Sequence, residues 1–242
     1  MSTTRRRPAR WFRCLSIEHG DGRVERYKYT LLLIALLALV VAPLILGGTV
    51  ESSYVFGVSS LVVMLFGVLA ALQHRKARIV VIVLAALAAL SQLSSFIFGS
   101  HHYAQSKIAV FAAFLLFIAV VIVIDVLRDE AATWDKIQGA IAAYVVFGVA
   151  WGLLYAWVIL NDPQAFSGAV QRTAEDAGQP MIYFSFVTLT TLGYGDITPV
   201  SHTARTLAWL EAAFGQIYLV VLVARLVSLQ LTSKVASSRN DG

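Results

Sequence analysis

The chain has 242 residues, of which 58% are hydrophobic and 14% charged, and its formal net charge is +5. Soluble domains carry about a quarter charged residues, and here the apolar residues fall in long blocks. The composition excludes an ordinary soluble protein and predicts an integral membrane protein.

Residues 1–28 are polar and basic and carry Trp11, Phe12 and Tyr27. They predict a cytoplasmic segment at headgroup level rather than a folded domain. Crossing the hydrocarbon takes about 20 apolar residues in a helix. Five stretches free of Asp, Glu, Lys and Arg reach or approach that length: 30–50, 52–73, 79–98, 108–124 and 137–160. A sixth, 206–231, contains Glu211 and Arg225. The block 181–195 is too short to span and is rich in Thr and Gly. The expected fold class is therefore an all-α membrane protein of six transmembrane helices, with a re-entrant segment between the fifth and sixth. Pro43, Gly47 and Gly48 mark a kink and the end of the first span. No small-residue cleavage site follows that run, so it is expected to be retained. Cys14 is the lone cysteine, so no intrachain disulfide can form.

Four of the spans form a bundle over 29–127, a short amphipathic linker over 128–136 places Trp134 at the interface, and 137–231 forms a second module. The tail 232–242 is too short for a regulatory domain, and none is expected in the chain. Within the fifth span, Trp151, Tyr155 and Trp157 predict an aromatic belt, and Gly148 and Gly152 let another helix approach closely. Pro180 suits the first turn of a short helix over 180–190.

The connections fix the orientation. With a cytoplasmic N-terminus, sixteen Lys and Arg lie inside, and only Lys107, Arg172 and Arg205 lie outside. Both termini are thus expected in the cytoplasm, in the cell membrane, with membrane lipid as the surrounding partner. Topology accounts for the positive charge, so no nucleic-acid partner is expected.

The segment from Tyr183 to Pro199 reads YFSFVTLTTLGYGDITP. Over about twenty residues it resembles the pore region of the potassium channel family, and the fifth and sixth spans resemble the flanking helices more loosely. In that family, filter carbonyls replace the hydration shell of the ion. The resemblance implies a re-entrant pore helix, a selectivity filter and a homotetramer, since one chain supplies one quarter of the filter and needs three further copies of itself. Potassium is then the permeant ion. A column of inward carbonyls requires alternate residues in conformations where side chains clash, and Gly193 and Gly195 remove that clash. The carbonyls of Thr191, Leu192, Gly193 and Tyr194, with the Thr191 hydroxyl, would form the stacked ion sites. Asp196 would ring the outer mouth. The pore helix would aim its partly negative C-terminus at a central cavity. The sequence departs from the family at Leu192, where Val or Ile is commoner, and at Tyr183 and Phe184, where two tryptophans are usual. Val187 stands where some members place an acid.

Tyr183, Phe184, Thr188 and Glu211 are expected to support the filter. Glu211 falls at filter depth, where an isolated charge is costly. It is expected to face the pore helix and bind a hydroxyl or backbone group there, for example near Thr188 or Tyr183, and Gln in its place to alter gating. Gly215 matches the family's hinge glycine, with close packing as the other reading. Leu219, Val223, Val227 and Leu231 recur at helical spacing and would form an apolar gate that shuts by dewetting. Arg225 is expected to snorkel to the interface.

Voltage sensing needs charges that move through the field. The fourth span has no Lys or Arg ladder, only Asp125, which is expected to pair with Arg128. The expected activity is passive potassium conduction without steep voltage dependence. His101 and His102 are expected to be an ordinary solvated pair rather than a metal or pH site. Other readings are a non-selective cation channel on the same scaffold, a potassium uptake subunit, or a non-conducting membrane sensor or scaffold. No nucleophile–base grouping or metal-ligand spacing points to an enzyme.

Overall fold

The computed structural model describes residues 28–46, 52–72, 75–98, 104–128, 134–168 and 177–240. Among them lie seven helices and one two-stranded sheet. The helices are α1 (Lys28–Leu46), α2 (Ser52–Ala71), α3 (Arg75–Phe98), α4 (Ala104–Arg128), α5 (Trp134–Asn161), α6 (Gly178–Leu189) and α7 (His202–Asn240). Lipid offers no partner for backbone polar groups, so long apolar blocks close their hydrogen bonds within helices. Windows long and apolar enough to cross a membrane occur in four of them: Ala77–Ser94, Gln105–Leu127, Trp134–Asn161 and His202–Arg225. Over the described residues, α1 and α2 contribute the shorter apolar stretches Lys28–Ala42 and Gly57–Ala71.

The all-α expectation holds for the fold, with one short sheet beside the helices. Strands β1 (Phe166–Gly168) and β2 (Ile197–Pro199) pair antiparallel, with Ser167 opposite Thr198. They join the loop after α5 to the chain leaving the 191–196 segment. Gly168 makes the pairing possible: its φ is +114°, and a Cβ there would lie 2.1 Å from the Asp196 carbonyl oxygen.

Helix α5 is the axis of the packing, with fifteen buried residues spread from Gly139 to Ile159. It packs most extensively against α4 of the same chain, and also against α1 and α6. Phe111, Phe114, Leu115, Ile118 and Ile122 of α4 are all nearly inaccessible. Helices α2 and α3 lie further out, and α3 exposes Ile79, Val83, Leu87 and Leu90. Helix α7 rests on α6 and α5 through a narrow stripe that includes Ala204, Glu211 and Gly215.

Several boundaries and partners differ from expectation. Trp134, Asp135 and Lys136, assigned to the linker, form the first turn of α5. Helix α7 continues to Asn240, past the tail boundary at 231, because nothing in 232–240 breaks a helix. Asp125 is held by Lys136, by the Tyr29 hydroxyl and, at 3.8 Å, by Lys28. The start of α5 lies beside the end of α4 and brings those groups together. The Arg128 side chain lies outside the described residues. Arg225 donates from its Nη2 to the Leu127 carbonyl at 3.3 Å. Leu127 is in the last turn of α4, where carbonyls lack helical partners and attract cations. Residues 1–27, Gly47, Gly48, His101, His102 and the Leu231 side chain also lie outside the described residues.

Candidate functional site

Small residues on α5 set the position of α6. A Cβ on Gly152 would fall 2.6 Å from Ile182 Cα, and one on Gly148 would fall 2.7 Å from the Phe186 ring. The helices touch backbone to backbone, as the spacing of the two glycines suggests. Around that contact, Tyr155, Phe166 and Phe184 form an edge-to-face triad with centroids 5.0–5.6 Å apart. Phe184 thus packs against α5 and β1.

The far end of α6 is gripped on two sides. Tyr144 of α5 donates to the Leu189 carbonyl at 3.2 Å, and a Cβ on Gly215 of α7 would lie 2.7 Å from the same oxygen. Close packing is therefore the observed property of Gly215.

The 191–196 segment hangs from this end. Thr191, Gly193 and Gly195 have φ of 57°, 61° and 79°, so every second residue is left-handed. Gly193 and Gly195 have open space where a Cβ would sit, so backbone conformation and not crowding selects glycine there. Thr191 takes the same conformation with a branched side chain, a cost of about 1–3 kcal/mol. The N–H groups point back at α6: Thr191 N donates to the Thr188 carbonyl at 2.9 Å, and Leu192 N and Gly193 N donate to Val187 at 2.9 and 3.3 Å. Among the described residues, no donor engages the carbonyls of Thr191, Leu192, Gly193 or Tyr194. The result is a narrow ribbon whose first three N–H groups bond back to α6 and whose carbonyls stay open among the described residues. In the single chain, Leu192 and Tyr194 are 55% and 68% exposed. Among the described residues there is no cluster of His, Cys, Asp or Glu fit to hold a metal ion.

Asp196 accepts a hydrogen bond from the Tyr183 hydroxyl at 2.8 Å. That bond to a carboxylate raises the pKa of the Tyr183 phenol, which therefore remains a donor at physiological pH. Tyr183 thus bonds the segment at its far end, away from Glu211.

Glu211 is fully buried, and it bonds a hydroxyl of α6 that stands between Tyr183 and Thr188. Its Oε2 accepts from Tyr155 at 2.7 Å and its Oε1 bonds Ser185 Oγ. Neither Thr188 nor Tyr183 is involved. Thr188, Ser185 and Glu211 differ by where each faces: Ser185 is the buried hydroxyl on α6, and Thr188 is only partly buried. Sequence reasoning missed Ser185, Tyr144 and the role of Tyr155. A lone buried-type Ser in an apolar twelve-residue helix was the available signal for the first. Leu219, Val223 and Val227 lie exposed on α7, at 37%, 57% and 50%.

Residues 143–230 match the family model described as an ion channel. No curated protein and no solved structure matches the chain. The match opens on α5, runs through α6 and the left-handed ribbon, and closes on α7. Apolar helices of spanning length carry that region, and the chain is thereby a membrane protein with an ion channel domain over residues 143–230.

Proposed function

We propose that the protein is a potassium-selective channel that assembles as a homotetramer and conducts passively, without steep voltage dependence. The observation that carries the reading is the alternation of left-handed residues at 191, 193 and 195, together with carbonyls that no donor among the described residues engages. Such a ribbon turns successive oxygens toward one line, and four ribbons around an axis would enclose a dehydrated cation. Thr191, Leu192, Gly193 and Tyr194 supply the oxygens, and Asp196 rings the outer mouth.

Four copies are required because one ribbon gives one wall. The exposure of Leu192, Tyr194, Trp209 and Phe214 supports assembly, since each is a large apolar surface left bare on the single chain. Gly215 acts as a pivot against Leu189 in this reading, and Leu219, Val223 and Val227 line the lower pathway. Both termini are cytoplasmic, and α4 carries no ladder of cations that could sense the field.

The test is the reversal potential of purified protein in bilayers under opposed potassium and sodium gradients. The expected value lies close to the potassium equilibrium potential. A value near zero would assign a non-selective channel, and silence in single-channel recording would assign a sensor or scaffold. Currents that rise with voltage as steeply as about three charges per subunit would defeat the voltage reading alone.

A further inference from the structure

Three oxygen–oxygen contacts meet behind the 191–196 segment, and each needs one hydrogen. Tyr155 Oη lies 2.7 Å from Glu211 Oε2, Ser185 Oγ bonds Glu211 Oε1, and the same Ser185 Oγ lies 2.7 Å from the Gly148 carbonyl oxygen. The two hydroxyls supply two hydrogens, and a carbonyl supplies none. With Glu211 ionised, two hydrogens serve three contacts, and one pair of oxygens meets lone pair to lone pair. A hydrogen on Oε1 completes the set. Tyr155 then donates to Oε2, the acid O–H donates to Ser185, and Ser185 donates to Gly148. We infer that Glu211 is held in the folded protein as the neutral carboxylic acid, and that its hydrogen ties α7 to α6 and, through Ser185, to α5.

The surroundings agree with the count. Glu211 is 0% exposed, and among the described residues no Lys, Arg or His pairs with it. Helix α5 turns Tyr155 toward it, with Tyr144 further along, and α6 presents Ser185. Tyr218 on α7 is engaged elsewhere, donating to the Ala140 carbonyl at 2.7 Å. An ionised carboxylate without a counter-charge is costly at membrane depth, whereas a neutral acid with both oxygens bonded is not.

The hydrogen has a positioning role. Ser185 stands two residues before Val187, whose carbonyl holds the N–H groups of Leu192 and Gly193. Fixing Ser185 against Gly148 and Glu211 therefore fixes the carbonyl from which the ribbon hangs. This consequence for conduction rests on the channel reading; the state of the acid does not.

Infrared spectra of protein in lipid at neutral pH test the inference, with carbon-13 glutamate in a second sample. The expected result is a protonated-carboxyl C=O band that moves with the label, disappears in Glu211→Gln, and rises in frequency in Ser185→Ala. Absence of a labelled band, or a band indifferent to both substitutions, would overturn it. If Glu211→Gln does not fold, the label and Ser185→Ala decide alone. For positioning, the Gln amide can donate where the acid does, so potassium flux through Glu211→Gln should exceed that through Glu211→Ala by about tenfold. Equal fluxes would refute that role. The infrared reading needs no current, so a silent wild type would defeat the channel reading while the band still decides the acid.

Discussion

Two carboxylates, one half-buried and one fully buried, sit in two contrasting regions. Asp125, in the last turns of α4, lies between two cations, Lys136 of α5 and Lys28 of α1, and accepts from the Tyr29 hydroxyl. The same two ammonium groups also lie over the Tyr29 ring, at 4.6 and 5.9 Å. Glu211, on the buried stripe of α7, meets only hydroxyl oxygens. Both acids join three helices, but with different chemistry. Near a helix end, a charge persists because a counter-charge and further donors share its desolvation. Behind the ribbon, only neutral groups are present, and the acid keeps its bonds by keeping its hydrogen. The first arrangement fixes the bundle to α5. The second adjusts α6 between α5 and α7.

The largest effect should come from breaking the charged region. Asp125→Ala leaves Lys136, with a side chain 14% exposed, without its nearest acid. A loss of about 3 kcal/mol is expected, read as a fall in thermal midpoint in detergent. Adding Lys136→Met should recover a good part of it, because most of the cost is the ammonium deprived of that carboxylate. A double variant no better than the single would mean that Asp125 matters through Tyr29 instead.

The next effect lies at the α5–α6 contact. Gly152→Ala puts a methyl 2.6 Å from the Ile182 backbone, which no rotamer change can relieve. A cost of about 2 kcal/mol is expected in chemical denaturation, and an unchanged midpoint would show that α6 is free to slide. Ser185→Ala removes the central oxygen of the neutral region and should cost about 1–2 kcal/mol, with Tyr155→Phe near 1 kcal/mol. Combined, these two should depart from additivity by about 0.5 kcal/mol or more, since both bond one acid. Strict additivity would separate their roles. The smallest effect is expected from Tyr183→Phe, which removes an exposed bond to Asp196 and should leave the thermal midpoint where it was.

The helices were legible because lipid permits few alternatives: an apolar block must bond its own backbone, so length and hydropathy locate it. The ribbon was legible for a local reason as well. Gly193 and Gly195 fit alternate left-handed positions, and Gly148 and Gly152 fit a close helix contact. Thr191 was not legible as the third left-handed residue, because Thr avoids that conformation and only its anchorage to Thr188 imposes it. The β1–β2 pair was hidden in the same way, in segments of three residues each.

By itself, the sequence determined a membrane protein of apolar helices, a motif of alternating glycines and a buried acid seeking a partner on α6. All three follow from local chain chemistry: hydropathy, backbone freedom and the cost of an isolated charge. The tertiary structure alone decided which partners were chosen. Asp125 bonds Lys136, Arg225 caps α4, and Glu211 meets Ser185 and Tyr155 because separate helices place those atoms within a few ångströms. No spacing along one chain encodes that distance, since it is set by how glycines and aromatic rings let neighbouring helices close on each other.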